Sequence, residues 1–292
     1  MLRLQQGVRV LGPSDLGAAL ELIAEDPVTN VFAEYRSRIT QLDPRWLGGE
    51  MWGYVEDGAL VSLCHVGANL VPVMATRGAC ESFARRAMRR RRSSATIVGP
   101  RQQVEWLWAG LEHVWDRPRE LRWDQPHMVT DRAPLVQPDP LVRRTDPHDL
   151  ETLYPACVAM YTEEVGVSPE AGEGGGGSGS GPGSGRGLYH ARVAQLVSRG
   201  WSFSRIEGGE VVFKAEVACA TRSACQVQGV YVAPHRRGQG LAVAGMAAVV
   251  DACLAQIAPT VSLYVNAHNH AARAAYERVG FRQNGTFSTI MF

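Results

Sequence analysis

The chain has 292 residues, 45% of them hydrophobic and 20% charged, with a formal net charge of +1. That length and composition suit two domains, each with a core of its own. No charged segment followed by an apolar run opens the chain, and no apolar stretch approaches the roughly 18 residues of a membrane span, so a cytoplasmic place is expected, with neither secretion nor membrane insertion.

Taken in chain order, Val8-Arg9 followed by Pro13, Asp15 and Leu16 predicts a strand and then a capped helix. Tyr54–Val61 reads as a hairpin turning at Asp57-Gly58. Leu63–Val73 is expected as a strand, and the turn after it carries a single glycine, Gly78. Arg85, Arg86 and Arg89–Arg92 form a basic run at a helix end. A helix dipole favours arginines there, no aromatic residues interleave them, and the chain is near neutral, so the run reads as a solvated helix end rather than a nucleic-acid surface. Three prolines within Asp131–Pro140 mark a linker.

The pattern then returns. Val142-Arg143 with Pro147, Asp149 and Leu150 repeats the opening at an offset of 134, and Arg205–Val212 repeats the hairpin at an offset of 151. The Gly/Ser tract Glu173–Gly187 supplies 15 of the 17 residues by which the offset grows, so it reads as a flexible insertion in the second copy. Two tandem domains are expected, 1–135 and 136–292. The six cysteines are thinly spread with no Cys-x-x-Cys, which suits buried thiols in a reducing compartment. One lysine, Lys214, stands against 29 arginines, a bias read as that of a GC-rich bacterial genome.

Within the second copy, Val230-Tyr231-Val232 runs through Arg236-Arg237-Gly238-Gln239-Gly240 into the helical pattern opened by Leu241-Ala242. A strand, a glycine turn and a helix N-terminus with unpaired N–H groups make an anion cradle suited to a diphosphate. A Walker loop is excluded because it ends in Gly-Lys-Ser/Thr and the single lysine lies upstream. A dinucleotide fingerprint is excluded because Val243 stands where its third glycine belongs. Leu263-Tyr264-Val265 is a further strand, followed by Asn269, Ala272, Tyr276 and Gly280-Phe281 at spacings of three and four, and a strand closes the chain at Phe292.

Arg237-Gly238-Gln239-Gly240-Leu241-Ala242, followed by the Asn269–Phe281 segment, resembles the acyl-CoA motif and second signature of the GNAT superfamily of N-acetyltransferases. The resemblance implies an α/β (α+β) fold of two tandem GNAT-like domains, each a mixed, largely antiparallel sheet flanked by helices, with a degenerate first domain that binds no CoA. The arrangement also resembles bacterial tandem proteins in which an uncharacterised domain precedes a GNAT. It implies acetyl-CoA as acyl donor, with no metal expected, but stops at the donor; a primary amine, small-molecule in kind, is the expected acceptor. Val230, Tyr231 and Val232 would hold the pantetheine arm. Arg236, Arg237, Gly238, Gln239, Gly240, Leu241 and Ala242 would hold the diphosphate, and Asn269 would bond the pantetheine. Tyr276 would protonate the leaving thiolate. The residue pattern alone also allows Tyr276 to be a packing residue, since it shares a helix face with Ala272 and Val279.

The general base is the gap. Glutamine, which cannot take a proton, stands at 226 and 228 on the strand before the motif, where several relatives place a glutamate. Glu216, acting through water, and Glu163 or Glu164 after the first helix are the candidate carboxylates. Each has a plainer reading: Glu216 as a strand-surface charge near Lys214, the others as solvated loop residues. Freeing a lysine amine of pKa about 10.4 near neutral pH costs about 4 kcal/mol, whereas an α-amine of pKa about 8 costs under about 1. A site without a strong base therefore suits an α-amine or a small-metabolite amine. A CoA-binding regulatory module, or a protein acetyltransferase using the first domain as adaptor, are the alternatives.

Overall fold

The computed structural model describes residues 7–90, 92–171 and 185–292, so residues 173–184 of the Gly/Ser tract and Arg91 of the basic run lie outside the described residues. The first half runs β1 (Gly7–Val10), α1 (Leu16–Ile23), α2 (Val31–Thr40), α3 (Pro44–Leu47), β2 (Glu50–Glu56), β3 (Ala59–Val66), β4 (Asn69–Val73), α4 (Arg77–Ala87), β5 (Thr96–Pro100), α5 (Arg101–Ala109) and β6 (Glu120–Thr130). The second runs β7 (Arg143–Arg144), α6 (Leu150–Val165), α7 (Gly185–Ser198), β8 (Ser202–Glu207), β9 (Glu210–Ala220), β10 (Cys225–Val232), α8 (Leu241–Gln256), β11 (Val261–Tyr264), α9 (His270–Val279) and β12 (Arg282–Met291). The chain packs as two units, Met1–Val129 with Tyr264–Asn269 and Gln283–Phe292, and Thr130–Leu263 with His270–Arg282. β12 pairs antiparallel with β5, from Phe287 opposite Pro100 to Met291 opposite Thr96, which is why most of it counts with the first unit.

In the first unit β1, β2, β3 and β4 form successive antiparallel pairs, and β4 then pairs parallel with β5. In the second, β7, β8, β9 and β10 do the same before β10 pairs parallel with β11. The repeat reaches the details. Arg9 pairs with Asp15 and Arg143 with Asp149, each at 2.7 Å, tying the opening strand to a short 3₁₀ turn before the helix. The β2–β3 turn has Asp57 and Gly58 at φ 52° and 85°, and the β8–β9 turn has Gly208 and Gly209 at 56° and 81°. Positive φ at both turn centres is what a two-residue hairpin matched to strand twist requires. A β-bulge lies beside both turns, with the register shifting between Tyr54 and Val55 and between Arg205 and Ile206.

Strand alternation buries both faces of the first unit's sheet. Trp52, Tyr54 and Cys64 join Phe83 of α4 and Leu107 of α5 in one cluster, while Met51 and Leu63 join Leu22 and Ile23 of α1 in another. Leu63–Val73, expected as one strand, is two: β3 ends at Val66 and the chain reverses, with the Gly67 N–H returning to the Asn69 carbonyl at 3.1 Å. The basic run is more engaged than a solvated helix end, because the Arg86 and Arg90 guanidinium groups lie 5.0 and 5.7 Å from the Trp52 ring centre and Arg90 pairs with Glu50 at 2.9 Å.

In the second unit α6 and α7 pack Leu153, Cys157, Val193 and Val197 against Val211 of β9. α8 is buried on most sides, and a Cβ on its Gly245 would come within 2.7 Å of the Phe213 ring, so glycine there sets how closely the helix seats on β9. All six cysteines are buried and free. Among the described residues no helix is long and apolar enough to cross a membrane.

Candidate functional site

The site begins where β10 parts from β11 and bulges against β9. Its parallel pairing with β11 stops after Cys225 opposite Val261 and Gln226 opposite Ser262. Its pairing with β9 shifts between Gln228 and Tyr231, where Gln228 faces Glu216 and Tyr231 faces Lys214. Gly229, in the bulge, has φ +61°, and a Cβ there would lie 3.0 Å from the Glu216 carboxyl carbon and 3.1 Å from Met160. Val230, Tyr231 and Val232 follow as a half-buried strand end, with Tyr231 packed on the α6–α7 cluster.

Eight residues, 233–240, join β10 to α8. Gly238 and Gly240 take φ +77° and +80°, and an added Cβ on either would meet nothing within 4 Å. It is the left-handed backbone, with open space beyond it, that demands glycine. Gly240 is the N-cap of α8 and has no side chain to cap it, while the Val243 and Ala244 N–H groups turn back on the Gly240 carbonyl. The N–H groups of Gly238, Gln239, Gly240, Leu241 and Ala242 thus find no backbone acceptor among the described residues, and successive N–H groups in such a turn form an anion-binding concavity. A diphosphate fits this cradle. Leu241 anchors the helix start at 7% exposure.

The first unit makes the opposite choice. Three residues, 74–76, join β4 to α4, and the Thr76 hydroxyl accepts the Ala79 N–H at 3.2 Å. Its helix start is therefore closed by its own side chain.

The motif arginines are not free positive charges, as their sequence position had suggested. Arg236 donates to Glu207 at 2.7 Å and to the Gln239 amide oxygen at 3.0 Å. Arg237 donates to Glu163 at 2.7 Å and to the Val232 carbonyl at 3.2 Å. Hydrogen bonding to Arg236 and Arg205 holds Glu207 below the usual carboxylate range, and the bond to Glu163 raises Arg237. These pairs brace the loop and leave backbone N–H groups as the main anion donors. Glu163 and Glu164 sit in the last turn of α6 rather than in a loop, because Gly166 at φ +79° ends the helix only after them. Both are exposed.

Glu216 is not a surface charge. It is 6% exposed and Lys214 is 1% exposed. Lys214 Nζ donates to Glu216 Oε2 at 3.0 Å and contacts Cys157 Sγ at 3.4 Å, and Gln228 Nε2 donates to Glu216 Oε1 at 2.8 Å. Burial alone would raise the Glu216 carboxyl, but the Lys214 charge and the two donated bonds outweigh it and hold it below the ordinary range. Burial would likewise lower Lys214, and Glu216 with Cys157 raises it instead. Cys157 and Gln228 do not show as partners in the sequence, and Lys214 shows only as a charge near Glu216 on the strand surface. The signal was there in part, since a sole lysine two residues from a glutamate on a strand shares its face.

Tyr276 is 6% exposed on α9, its ring 5.9 Å from that of Phe281. Burial, helped by the negative charge of Glu164, pushes its phenol well above the ordinary value, so it stays protonated at neutral pH. Asn269 is exposed, one residue before α9, and its segment Tyr264–Asn269 counts with the first unit.

Residues 206–281 match the model of the family described as Acetyltransferase (GNAT) family, and residues 49–153 match a domain of unknown function, DUF4081. No curated protein matches the chain in sequence. A solved GCN5-related N-acetyltransferase from Sphaerobacter thermophilus superposes at a TM-score of 0.59 with 17% identity, covering 98% of this chain and 94% of its own. An acetyltransferase of the GNAT family from Colwellia psychrerythraea does so at 0.54 with 13% identity, covering 98% and 99%. A tandem GNAT protein from the clavulanic acid biosynthesis pathway gives 0.55 with 14% identity, covering 98% of each. At these identities the likeness shows the fold, and GNAT-fold neighbours span the whole chain. The family match implies acyl transfer from an acyl-CoA.

Proposed function

We infer, from the premise that this chain carries a GNAT-family acetyltransferase domain over residues 206–281, that it moves an acetyl group from acetyl-CoA to a primary amine, an α-amino group or the amine of a small metabolite. The observation that carries this reading is the contrast of two helix starts. The α8 cradle is open at Gly238–Ala242, and the α4 start is sealed by Thr76. One donor site per chain follows, in the second unit.

Acetyl-CoA supplies an acyl carbon already activated as a thioester. The chain's own residues bind and orient. N–H groups of residues 238–242 take the diphosphate, and the unpaired edge of β10 from Val230 to Val232 takes the pantetheine arm as an added strand. Tyr276 holds its proton at Oη and offers it to the leaving sulfur. Glu216 stays anionic beneath the bulge, but with both oxygens occupied and its pKa depressed it is a weak base. Glu164, exposed in the last turn of α6, adds negative charge that would attract a cationic amine.

A site with no strong base serves an amine that is already partly neutral. In an acetyl-transfer assay with matched pairs, α-amines are expected to react at least about 10-fold faster than lysine side-chain amines, given the roughly 3 kcal/mol between their deprotonation costs. Faster reaction of the lysine amines would overturn the acceptor assignment.

The raised Tyr276 phenol and the occupied Glu216 favour one second reading, a CoA-binding module without turnover. Turnover of the parent separates the two, and Tyr276→Phe then tests the acid. As the acid, its loss lowers turnover by about 10²-fold or more while acetyl-CoA affinity holds. An unchanged rate would make Tyr276 a packing residue only, set against Phe281.

A further inference from the structure

The first unit, closed to a diphosphate at α4, carries a cavity of its own. The parallel ladder of β4 and β5 holds only Asn69 opposite Thr96 and Leu70 opposite Ile97, as short as that of β10 and β11. Beyond the C-terminal ends of β4 and β5 lies a cavity of about 220 Å³ lined by Asp26, Asn30, Met74, Gln103, His127 and Phe287, among others. A cavity of about 150 Å³ accepts benzene, so this one has room for a molecule of amino-acid size.

Its polar lining is the informative part. His127 is 0% exposed and Asn30 4% exposed. Both ring nitrogens of His127 and the Nδ2 of Asn30 are buried without a hydrogen-bond partner. Buried polar groups in native proteins are nearly always paired, and three orphaned atoms on one cavity wall mark a place where a bound molecule completes the bonding. The His127 ring cannot turn away, since it stacks on Phe287 at 4.6 Å and 22°. Burial lowers it to about 4, so at neutral pH it is uncharged and offers one N–H and one bare nitrogen. Two neighbours are partly committed: the Gln103 side-chain oxygen accepts the Ala75 N–H at 3.0 Å, and Asp26 Oδ1 accepts the Thr29 N–H at 3.2 Å. Met74, on the rim, is held at φ +49°, a conformation rare for a residue with a side chain.

Charge narrows the ligand. Among the described residues Asp26 is the one acid in the lining, and no lysine or arginine lines it. The free Asn30 amide N–H calls for an oxygen acceptor. We propose that the first unit holds a small-molecule site at the C-terminal ends of β4 and β5, for a ligand carrying a primary ammonium group and a nearby carbonyl oxygen, as amino-acid amides do. Asp26 takes the ammonium, Asn30 donates to the carbonyl, and His127 bonds to the remaining polar group of the ligand. The negative lining prefers an amide of net charge +1 to the free amino acid, whose carboxylate would face Asp26.

The test uses the full chain with ¹³C-labelled histidine. Its eight histidines give a small set of imidazole signals, and His127→Phe identifies the one that matters. A panel of L-amino-acid amides is titrated beside isobutyramide, which lacks the ammonium, and isobutylamine, which lacks the carbonyl. At least one amide is expected to shift the His127 signal saturably, with the two truncated probes binding at least 10-fold more weakly. Asn30→Leu and the half-buried Asp26→Asn should each weaken the amide at least 10-fold, and the second leaves the buried wall intact should the first fail to fold. A His127 signal unmoved by every amide would mean that water alone fills the cavity, which overturns the proposal. Binding unchanged in Asp26→Asn would overturn it too.

Discussion

Lys214→Met is expected to destabilise the protein by about 3–5 kcal/mol, the usual cost of leaving one member of a buried ion pair without the other. Lys214 is the chain's single lysine and lies 1% exposed, reaching Glu216 at 3.0 Å and Cys157 at 3.4 Å. Without it, the Gln228 amide and the Arg192 charge are left to oppose the burial of the Glu216 carboxylate. The side chain then gains a proton or draws in water, and each costs folding energy. The double variant Lys214→Met/Glu216→Gln removes both charges and should recover most of the loss, because apolar or neutral replacements of a whole buried pair are often close to neutral. Urea denaturation of the parent, both single variants and the double gives the coupling directly. A Lys214→Met protein within about 1 kcal/mol of the parent would show that the pair is not held as described.

Gly240→Glu should abolish acetyl-CoA binding, raising Kd by more than about 100-fold. The new carboxylate opposes the diphosphate at its own cradle, and a like-charge contact costs several kcal/mol at about 1.4 kcal/mol per tenfold. Backbone strain is a smaller part, about 1–2 kcal/mol for a side chain at φ +80°. Gly240→Ala separates the two, since it imposes the strain without the charge and should cost only about tenfold in affinity. Calorimetric titration of the parent should give one site per chain, the first unit staying silent because Thr76 occupies its helix start. Two sites would refute that sealing. Retained binding in Gly240→Glu would move the diphosphate elsewhere, and a parent that binds no acetyl-CoA would refute both functional readings together.

Much of the molecule was legible in its residues. Val8–Leu16 and Val142–Leu150 announced the same strand, turn and helix, and the structure adds the reason the spacing matters: six residues separate each arginine from the aspartate it pairs with. The two hairpins were legible because positive φ at both turn centres restricts the residues that fit. The glycine turn at Gly238 and Gly240 was legible for a similar reason. Leu63–Val73 was misjudged as a single strand because its reversal at Gly67-Ala68 lacks a strong turn pair and apolar residues continue on both sides. Glu163 and Glu164 were misjudged as loop residues because the helix ends only at Gly166, one turn later than the first apolar run suggested.

The sequence by itself determined the repeated opening strand and helix, the two hairpins, that the plan occurs twice, and that only the second copy has glycines for an open helix start. These are local matters of periodicity and backbone torsion, settled within a few residues. Tertiary structure decided the electrostatics. Arg236 is neutralised by Glu207, 29 residues away, Arg237 by Glu163, 74 away, and Lys214 meets Cys157 across 57. It also decided that Glu216 is buried and that Asn30 and His127, nearly a hundred positions apart, share one cavity wall. Charge pairing and desolvation depend on which surfaces the packed core brings within a few ångströms, and no local pattern in the chain encodes that distance.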